Sequence, residues 1–399
     1  MEIKTHRGHH ETVGSLVEIA TAKTRILLDS GVNLDDRITL EQAGNLFGGR
    51  NFDAVFISRY HTDHAGLTRE LFSEVPVYIG EMESRIVTAS DEYKAQKPFP
   101  FANYYQNGKV ITVGDITVTP FIVDQPAFDA YMLLIEGDGK HILYTGDFRS
   151  NGRKSFEEML ENLPEKVDVL ICGGRGITRE DINSITERDL EEKAVEIIGK
   201  KAGPVFVLQS TTDFDRITTM YHAAQRCKRL FLQPLYIAQI NSAIGSAIAN
   251  PDDFLGVQAF LTTGYQPEHY RYQMFKTHNR IGKSEIVKQK FVMCMMPSMK
   301  KYLKSLSQMM NFHNGILIDS FQDDAPKPPE TGALVKFAQD KGLEVVSLRT
   351  SGHADAMALK ALVNTVHPVK IVPLSIENVQ WFDNEFPQTA IVKEDDLNC

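Results

Sequence analysis

The stretch Ser58-Arg59-Tyr60-His61-Thr62-Asp63-His64-Ala65-Gly66, directly after the apolar run Ala54-Val55-Phe56-Ile57, restricts the possible folds more than any other part of the chain. A buried strand that ends in two imidazoles and a carboxylate within four residues delivers nitrogen and oxygen donors to the mouth of a sheet, and such donors suit a borderline cation like zinc. The loop reads as a metal loop. Just before the trio, however, stands Arg59, whose guanidinium is permanently cationic and cannot ligate a metal.

The rest of the pattern supplies a frame for that loop. Residues 16–19 and 25–28 alternate around a short polar turn, which predicts an antiparallel meander ending at Asp29-Ser30-Gly31. Beyond the loop, residues 67–72 read as a short helix, 76–80 as a strand and 81 onward as a second helix. Short strands return from 109 to 124, followed by a hairpin whose turn is Gly137-Asp138-Gly139. That hairpin ends at Thr145-Gly146-Asp147-Phe148-Arg149, so Asp29, His61, Asp63, His64 and Asp147 can gather along one sheet rim. Residues 167–172 read as a strand, and 186–201, with a Thr cap and acids in the first turn, as a helix.

From residue 204 the order restarts. Strands at 204–208 and 229–232 alternate with helices at 213–226 and 235–248, the pattern of a parallel-sheet domain. Residues 249–285 show little periodicity. Further strands are expected at 288–296, 315–320 and 343–348, with a helix at 332–341. A last helix opens at Ser351-Gly352-His353-Ala354-Asp355 and leads to a strand at 369–373. The 399 residues exceed what a single hydrophobic core usually organises, which agrees with two closely packed domains.

Composition removes several function classes. With 42% hydrophobic and 24% charged residues the chain is neither disordered nor fibrous. No apolar run reaches the roughly 18 residues a spanning helix needs, and residues 1–7 lack an apolar signal core, so a soluble cytoplasmic protein without membrane contact is expected. Cys172, Cys227, Cys294 and Cys399 have no paired spacing, which argues against a disulfide framework or a thiolate zinc site. The net charge of −9 weakens general affinity for polyanions. A local exception is the segment 271–290, where Arg271, Lys276, Arg280, Lys283, Lys288 and Lys290 face a single acid, Glu285, with Tyr272, Phe275 and His278 interleaved. Cations mixed with rings suit single-stranded nucleic acid, although such runs are commonly solvated faces. His6, His9 and His10 are expected on a solvated surface.

Taken together, Leu27 to Gly31, Arg59 to His64, Val123-Asp124-Gln125, Tyr144 to Arg149 and Thr350 to Ala354 resemble, in this order, the motifs of the metallo-β-lactamase fold and of its β-CASP nucleases, such as ribonuclease J and the pre-mRNA 3′-end endonuclease. The resemblance covers nearly the whole chain. It implies an α/β protein: a metallo-β-lactamase αββα sandwich formed by residues 1–203 and 346–399, with an inserted β-CASP-like parallel α/β domain at 204–345. It also implies a hydrolase family that uses two metal ions on RNA.

The site departs from that pattern. In the family one metal takes both histidines of HxH and a third-motif histidine; the other takes the Asp-His pair, a bridging aspartate and a last histidine. Here Arg59, Gln125 and Ser375 stand at three of those histidine positions. The resemblance leaves His61, Asp63, His64 and Asp147 as metal ligands, Asp29 as the residue orienting the loop, and Asp63 and His353 as the catalytic pair, His353 protonating the leaving oxygen. Pro234 replaces a usual acidic residue of the insert, and Gly173-Gly174-Arg175 stands where Glu-Gly-Thr is common. Without two metals the aspartates would repel one another, so Arg59 is expected to reach Asp63, Asp147 or both.

Three functional expectations follow. The first is a protein of RNA-processing type with a degraded dinuclear site, binding RNA or single-stranded nucleic acid through Arg271, Lys276, Arg280 and Lys283, or binding a protein partner or a second copy, with weak or no hydrolysis. The second is a one-metal zinc-dependent phosphodiesterase or ribonuclease. The third, a small-molecule metallo-hydrolase, leaves the insert without a purpose. At most one zinc or other divalent ion per chain, or none, is expected.

Overall fold

The computed structural model describes residues 1–8, 14–32, 51–72, 74–99, 103–175, 177, 185–263, 268–321, 327–374 and 378–399. Two seven-stranded sheets face each other. One runs Asp396–Asn398, Glu2–Arg7, Leu16–Ala20, Arg25–Leu28, Ala54–Phe56, Val77–Ile79, Asn103–Tyr104; the other runs Ala390–Ile391, Lys370–Leu374, Val169–Gly173, Lys140–Tyr144, Tyr131–Gly137, Ile116–Ile122, Ile111–Val113.

Strand periodicity explains why they stack. Ile26 and Leu28 point inward and meet Leu133, Ile142 and Ile171 of the opposite sheet, while Leu27, Val55 and Ile79 point outward against Ala65, Leu67 and Phe72. The second sheet turns Leu143, Leu170 and Ile371 outward, under the helices Phe156–Glu161, Ala356–Val366 and Val379–Glu385. The result is the αββα sandwich.

A third sheet of six parallel strands runs Val257–Phe260, Leu230–Pro234, Phe291–Met295, Val205–Leu208, Ile316–Asp319, Glu344–Ser347. Its central strands are apolar at nearly every position because helices cover both faces. Val205, Val207 and Val292 pack under Phe214–Arg226 and Leu235–Ile244, while Phe206, Leu208 and Met293 pack under Lys300–Leu306 and Glu330–Asp340.

Some sequence expectations change. The helix Glu187–Gly199, which precedes residue 204, buries Leu190, Ala194 and Ile198 in the core of the third sheet, where Ile86 and Ala89 of the helix Glu81–Lys94 also lie. The final strand of that sheet, Glu344–Ser347, falls within the expected stretch 343–348. The helix expected over 235–248 stops at Ile244, where Gly245 takes a φ of 80°. The aperiodic segment contains the strand Val257–Phe260 and the helices Tyr270–Thr277 and Lys283–Ile286. His6 is buried, not solvated: its Nε2 lies 2.8 Å from Oε2 of a buried Glu18. His9 and His10 lie outside the described residues. Among the described residues no helix is long and apolar enough to cross a membrane.

Candidate metal centre

The loop leaves the central strand Ala54–Phe56, which pairs in parallel with Arg25–Leu28 and Val77–Ile79. Asp29, at the end of a neighbouring strand, adopts a left-handed φ of 57° and is fully buried. Its Oδ1 accepts from the backbone N–H of Ser58 at 2.7 Å; its Oδ2 accepts from Ser58 Oγ at 2.7 Å and from Tyr144 Oη at 2.5 Å. The same Oδ2 lies 2.5 Å from Nδ1 of His64. Asp29 thus holds a proton of His64 on Nδ1 and turns Nε2 toward the cluster, so that Nε2 is the nitrogen that would face a metal there. Gly31 lets the strands close on the loop, since a Cβ there would lie 1.8 Å from the carbonyl oxygen of Asp63.

Four groups converge on Asp147. His64 Nε2 lies 3.4 Å from its Oδ2, and His353 Nε2 lies 3.2 Å from the same atom. Asp63 Oδ2 is 3.9 Å from His64 Nε2. The fourth is Arg59, 5% exposed, whose Nη2 donates to Asp63 Oδ2 at 2.7 Å and to Asp147 Oδ2 at 2.5 Å. Its other terminal nitrogen, Nη1, donates to His61 Nδ1 at 2.5 Å, which leaves the proton of His61 on Nε2, 3.1 Å from Thr212 Oγ1 in the inserted domain.

The electrostatics follow from these contacts. Burial works against the charge of Arg59, but Asp63 and Asp147 outweigh it and hold the guanidinium above its usual range. Burial raises Asp63, and the guanidinium reverses that, bringing the carboxyl to about 2. Burial, with Arg59 beside it, pushes His61 down to about 3, so its ring is neutral. His64 goes the other way: burial and Arg59 depress it, but Asp29 and Asp63 lift it to about 9.

Two metal ions do not fit this donor set. The first-site nitrogens of His61 are engaged by Arg59 and Thr212, and Gln125 Oε1 accepts from the backbone N–H of Ala127 at 2.5 Å, turned back on its own loop. One ion fits better. Asp63, His64 and Asp147 offer atoms all within 4.8 Å of one another, and His64 Nε2 lies 3.4 Å from Asp147 Oδ2 and 3.9 Å from Asp63 Oδ2, against the separation of about 3.4 Å expected between ligands of tetrahedral zinc. Arg59 and such an ion compete for the same two carboxylate oxygens. Ser375 lies outside the described residues.

The basic segment does not approach this cluster through any hydrogen bond or ion pair among the described residues. Arg271 Nε donates to the carbonyl of Tyr93 at 3.1 Å and its guanidinium lies 4.4 Å from the Tyr93 ring, docking the helix Tyr270–Thr277 on the end of Glu81–Lys94. Lys276 lies over Tyr272, Arg280 Nη1 donates to the carbonyl of Lys276 at 2.8 Å, and Lys283 Nζ donates to Ser305 Oγ at 2.9 Å. Sequence reasoning missed Thr212, 151 positions away from His61, and the fully buried Arg149, Arg216 and Glu187. The only sequence signal for Arg149 was its place two residues after Asp147.

Comparison with known proteins agrees with the fold. Residues 24–208 match the beta-lactamase superfamily domain. Ribonuclease J of Sinorhizobium meliloti is 25% identical over 188 residues, covering 45% of this chain and 33% of that protein. Probable RNase MJ4 of Methanocaldococcus jannaschii is 28% identical over 249 residues, covering 56% of this chain and 57% of that protein. The chain therefore spans about a third to somewhat over half the length of these relatives. A crystal structure of a protein of unknown function from Enterococcus faecalis V583 superimposes with a TM-score of 0.73 at 18% identity, over 99% of both chains. The sandwich, the loop and the match over residues 24–208 agree with the metallo-β-lactamase fold. Within that fold, the additional parallel domain and the ribonuclease J relatives make the chain similar to the β-CASP proteins.

Proposed function

We propose that this chain is a β-CASP protein of RNA-processing type in which Arg59 has replaced the first metal ion, leaving a protein that binds RNA or a partner and hydrolyses weakly or not at all. The observation that carries the reading is the single Nη2 of Arg59 bonded to both Asp63 and Asp147. In-line phosphodiester hydrolysis with a two-metal clamp requires a metal to acidify the attacking water and a second cation on the phosphoryl oxygens. A guanidinium supplies the second service and not the first. The cytoplasm is the compartment that fits four cysteines without a disulfide among them.

A one-metal phosphodiesterase is the second reading, favoured by the spacing of Asp63, His64 and Asp147 and by His353 Nε2 at 3.2 Å from Asp147. In that case the trio holds one ion, which when bound would supply an acidified water, and His353 is placed to donate a proton to a leaving oxygen. Elemental analysis of purified protein separates the two. Below about 0.3 metal per chain supports the first reading; about one per chain, with chelator-sensitive cleavage of RNA, sinks it in favour of the second.

A further inference from the structure

Thr212, which follows the strand Val205–Leu208, faces His61 at 3.1 Å, so the carboxyl ends of the six parallel strands point at the metal cluster. The helix Lys300–Leu306 leaves the strand Phe291–Met295 at that end and returns toward the start of the parallel strand Ile316–Asp319, running away from the cluster along one face of the sheet. It buries Tyr302, Leu303 and Leu306 in the core that holds Phe291 and Met293. At 3.6 residues per turn its opposite side carries Lys300, Lys301 and Lys304, all three exposed. The short helix Lys283–Ile286 lies beside it, with Ile286 in the same core and Lys283 Nζ donating to Ser305 Oγ at 2.9 Å. Lys288 and Lys290, both exposed, continue the row to the amino end of Phe291–Met295.

We infer that these six lysines form a docking track for the phosphate backbone of RNA, on the outer face of the inserted domain and outside the cleft. This rests on the RNA reading above and gives it a surface. Among the described residues none of the six makes an ion pair with a carboxylate, although acids outnumber bases 52 to 43 in the whole chain. The single acid from residue 283 to 304, Glu285, is turned onto the start of its own helix, where its Oε2 accepts from the N–H of Gly282 at 3.0 Å. The arrangement works against the fold. Lys300 and Lys304 are like charges one turn apart, and Lys300 and Lys301 stand in a first turn without an acid, where the helix dipole disfavours cations. Repulsion that no internal group offsets is relieved by a polyanion, which gains by releasing its own counterions. The outward positions of Lys300–Leu306 are lysines and a serine, with no apolar group to enter a lipid surface and no ring to stack a base. The track therefore reads phosphates and is indifferent to base sequence.

Fluorescence anisotropy with an oligouridylate of about 20 nucleotides, in chelator and over a range of salt concentrations, tests this. Each lysine–phosphate contact on a single strand adds about 0.7 to the slope of log affinity against log salt, so Lys300→Gln, Lys301→Gln and Lys304→Gln combined should lower that slope by about 2. A fourfold rise in salt then weakens the parent about sixteenfold more than the variant. Lys288→Gln with Lys290→Gln, at the far end of the row, should lower the slope by about 1.4. Arginine at the first three positions keeps the charge and should keep the parent's slope. Thermal midpoints of parent and variants should agree, since the substituted side chains are exposed. RNA binding by the parent with the same slope in the glutamine variants overturns the track and leaves RNA binding elsewhere on the chain. A parent that binds no RNA overturns the RNA reading together with the track. Vesicles of phosphatidylserine and phosphatidylcholine are the second probe: binding as tight as to RNA, lost in the same variants, makes the partner a membrane and overturns the assignment to RNA.

Discussion

Arg59 uses its two terminal nitrogens for three charge-assisted hydrogen bonds, to Asp63, Asp147 and His61, in a site where it is almost fully buried. Removing one partner of such a buried set typically costs 3–5 kcal/mol, about as much as many domains have to spare. Arg59→Met should therefore lower the midpoint of thermal unfolding. It should also create a response that the parent lacks, because freed carboxylates beside His64 can take a metal: added zinc should raise the melting temperature of the variant and leave the parent nearly unchanged. Equal zinc shifts in both would mean that the guanidinium does not guard those oxygens. Restoring histidine at Arg59, Gln125 and Ser375 together should raise metal content toward two per chain, read by elemental analysis. At this scale the sequence was informative where a motif fixes the register. The place of Arg59 and its contact with the aspartates followed from one loop and the charge it must balance. The link from His61 to Thr212 did not, since nothing local marks a partner 151 residues away.

Elements were legible in proportion to their periodicity. The meander, the hairpin at Asp138-Gly139 and the strands of the parallel sheet all carry turn residues or unbroken apolar runs, and they form near where the pattern puts them. Residues 249–285 failed because the helix Tyr270–Thr277 buries a single side chain, Phe275, and so has no apolar stripe to read. Tertiary contacts hold it instead, chiefly Arg271 against Tyr93. This gives the basic segment two distinguishable readings. If Arg271 is mainly a structural pin, Arg271→Ala should speed amide hydrogen exchange across the helix and change the salt dependence of RNA binding little. If it contacts a phosphate, the slope of log affinity against log salt should fall by about one, with exchange unchanged. The geometry predicts the first outcome. The helix Glu187–Gly199 shows another limit: its cap, Thr186 with Asp189, is readable, but which core it joins depends on partners beyond residue 204.

The two domains are joined by a buried ionic network beside the site. Arg149 reaches Asp124, Asp215, Thr350 and the carbonyl of Ser351, while Arg216 of the inserted domain reaches Ser320, Thr350 and the carbonyl of Leu348. Glu187 stands between the two guanidiniums, its Oε1 3.1 Å from Arg216 Nη2 and 3.5 Å from Arg149 Nη1, and accepts from Thr350 at 2.6 Å. Arg149 follows Asp147 by two residues and Ser351 precedes His353 by two, so the network fixes the loops that carry both. Burial would raise the Glu187 carboxyl, but Arg216 and Arg149 overcome it and bring it down to about 2 from 4.5. A carboxylate with a depressed folded-state value contributes stability above its unfolded value and loses it as the pH falls through the folded one, here between about 4.5 and 2. Glu187→Gln should thus unfold at markedly lower urea than the parent at pH 7, and the gap between the two should shrink as the pH is lowered from 4.5 toward 2. A gap that stays constant across that range would mean that Glu187 carries no charge in the folded protein, and that the loops bearing Asp147 and His353 are held by packing and neutral hydrogen bonds instead.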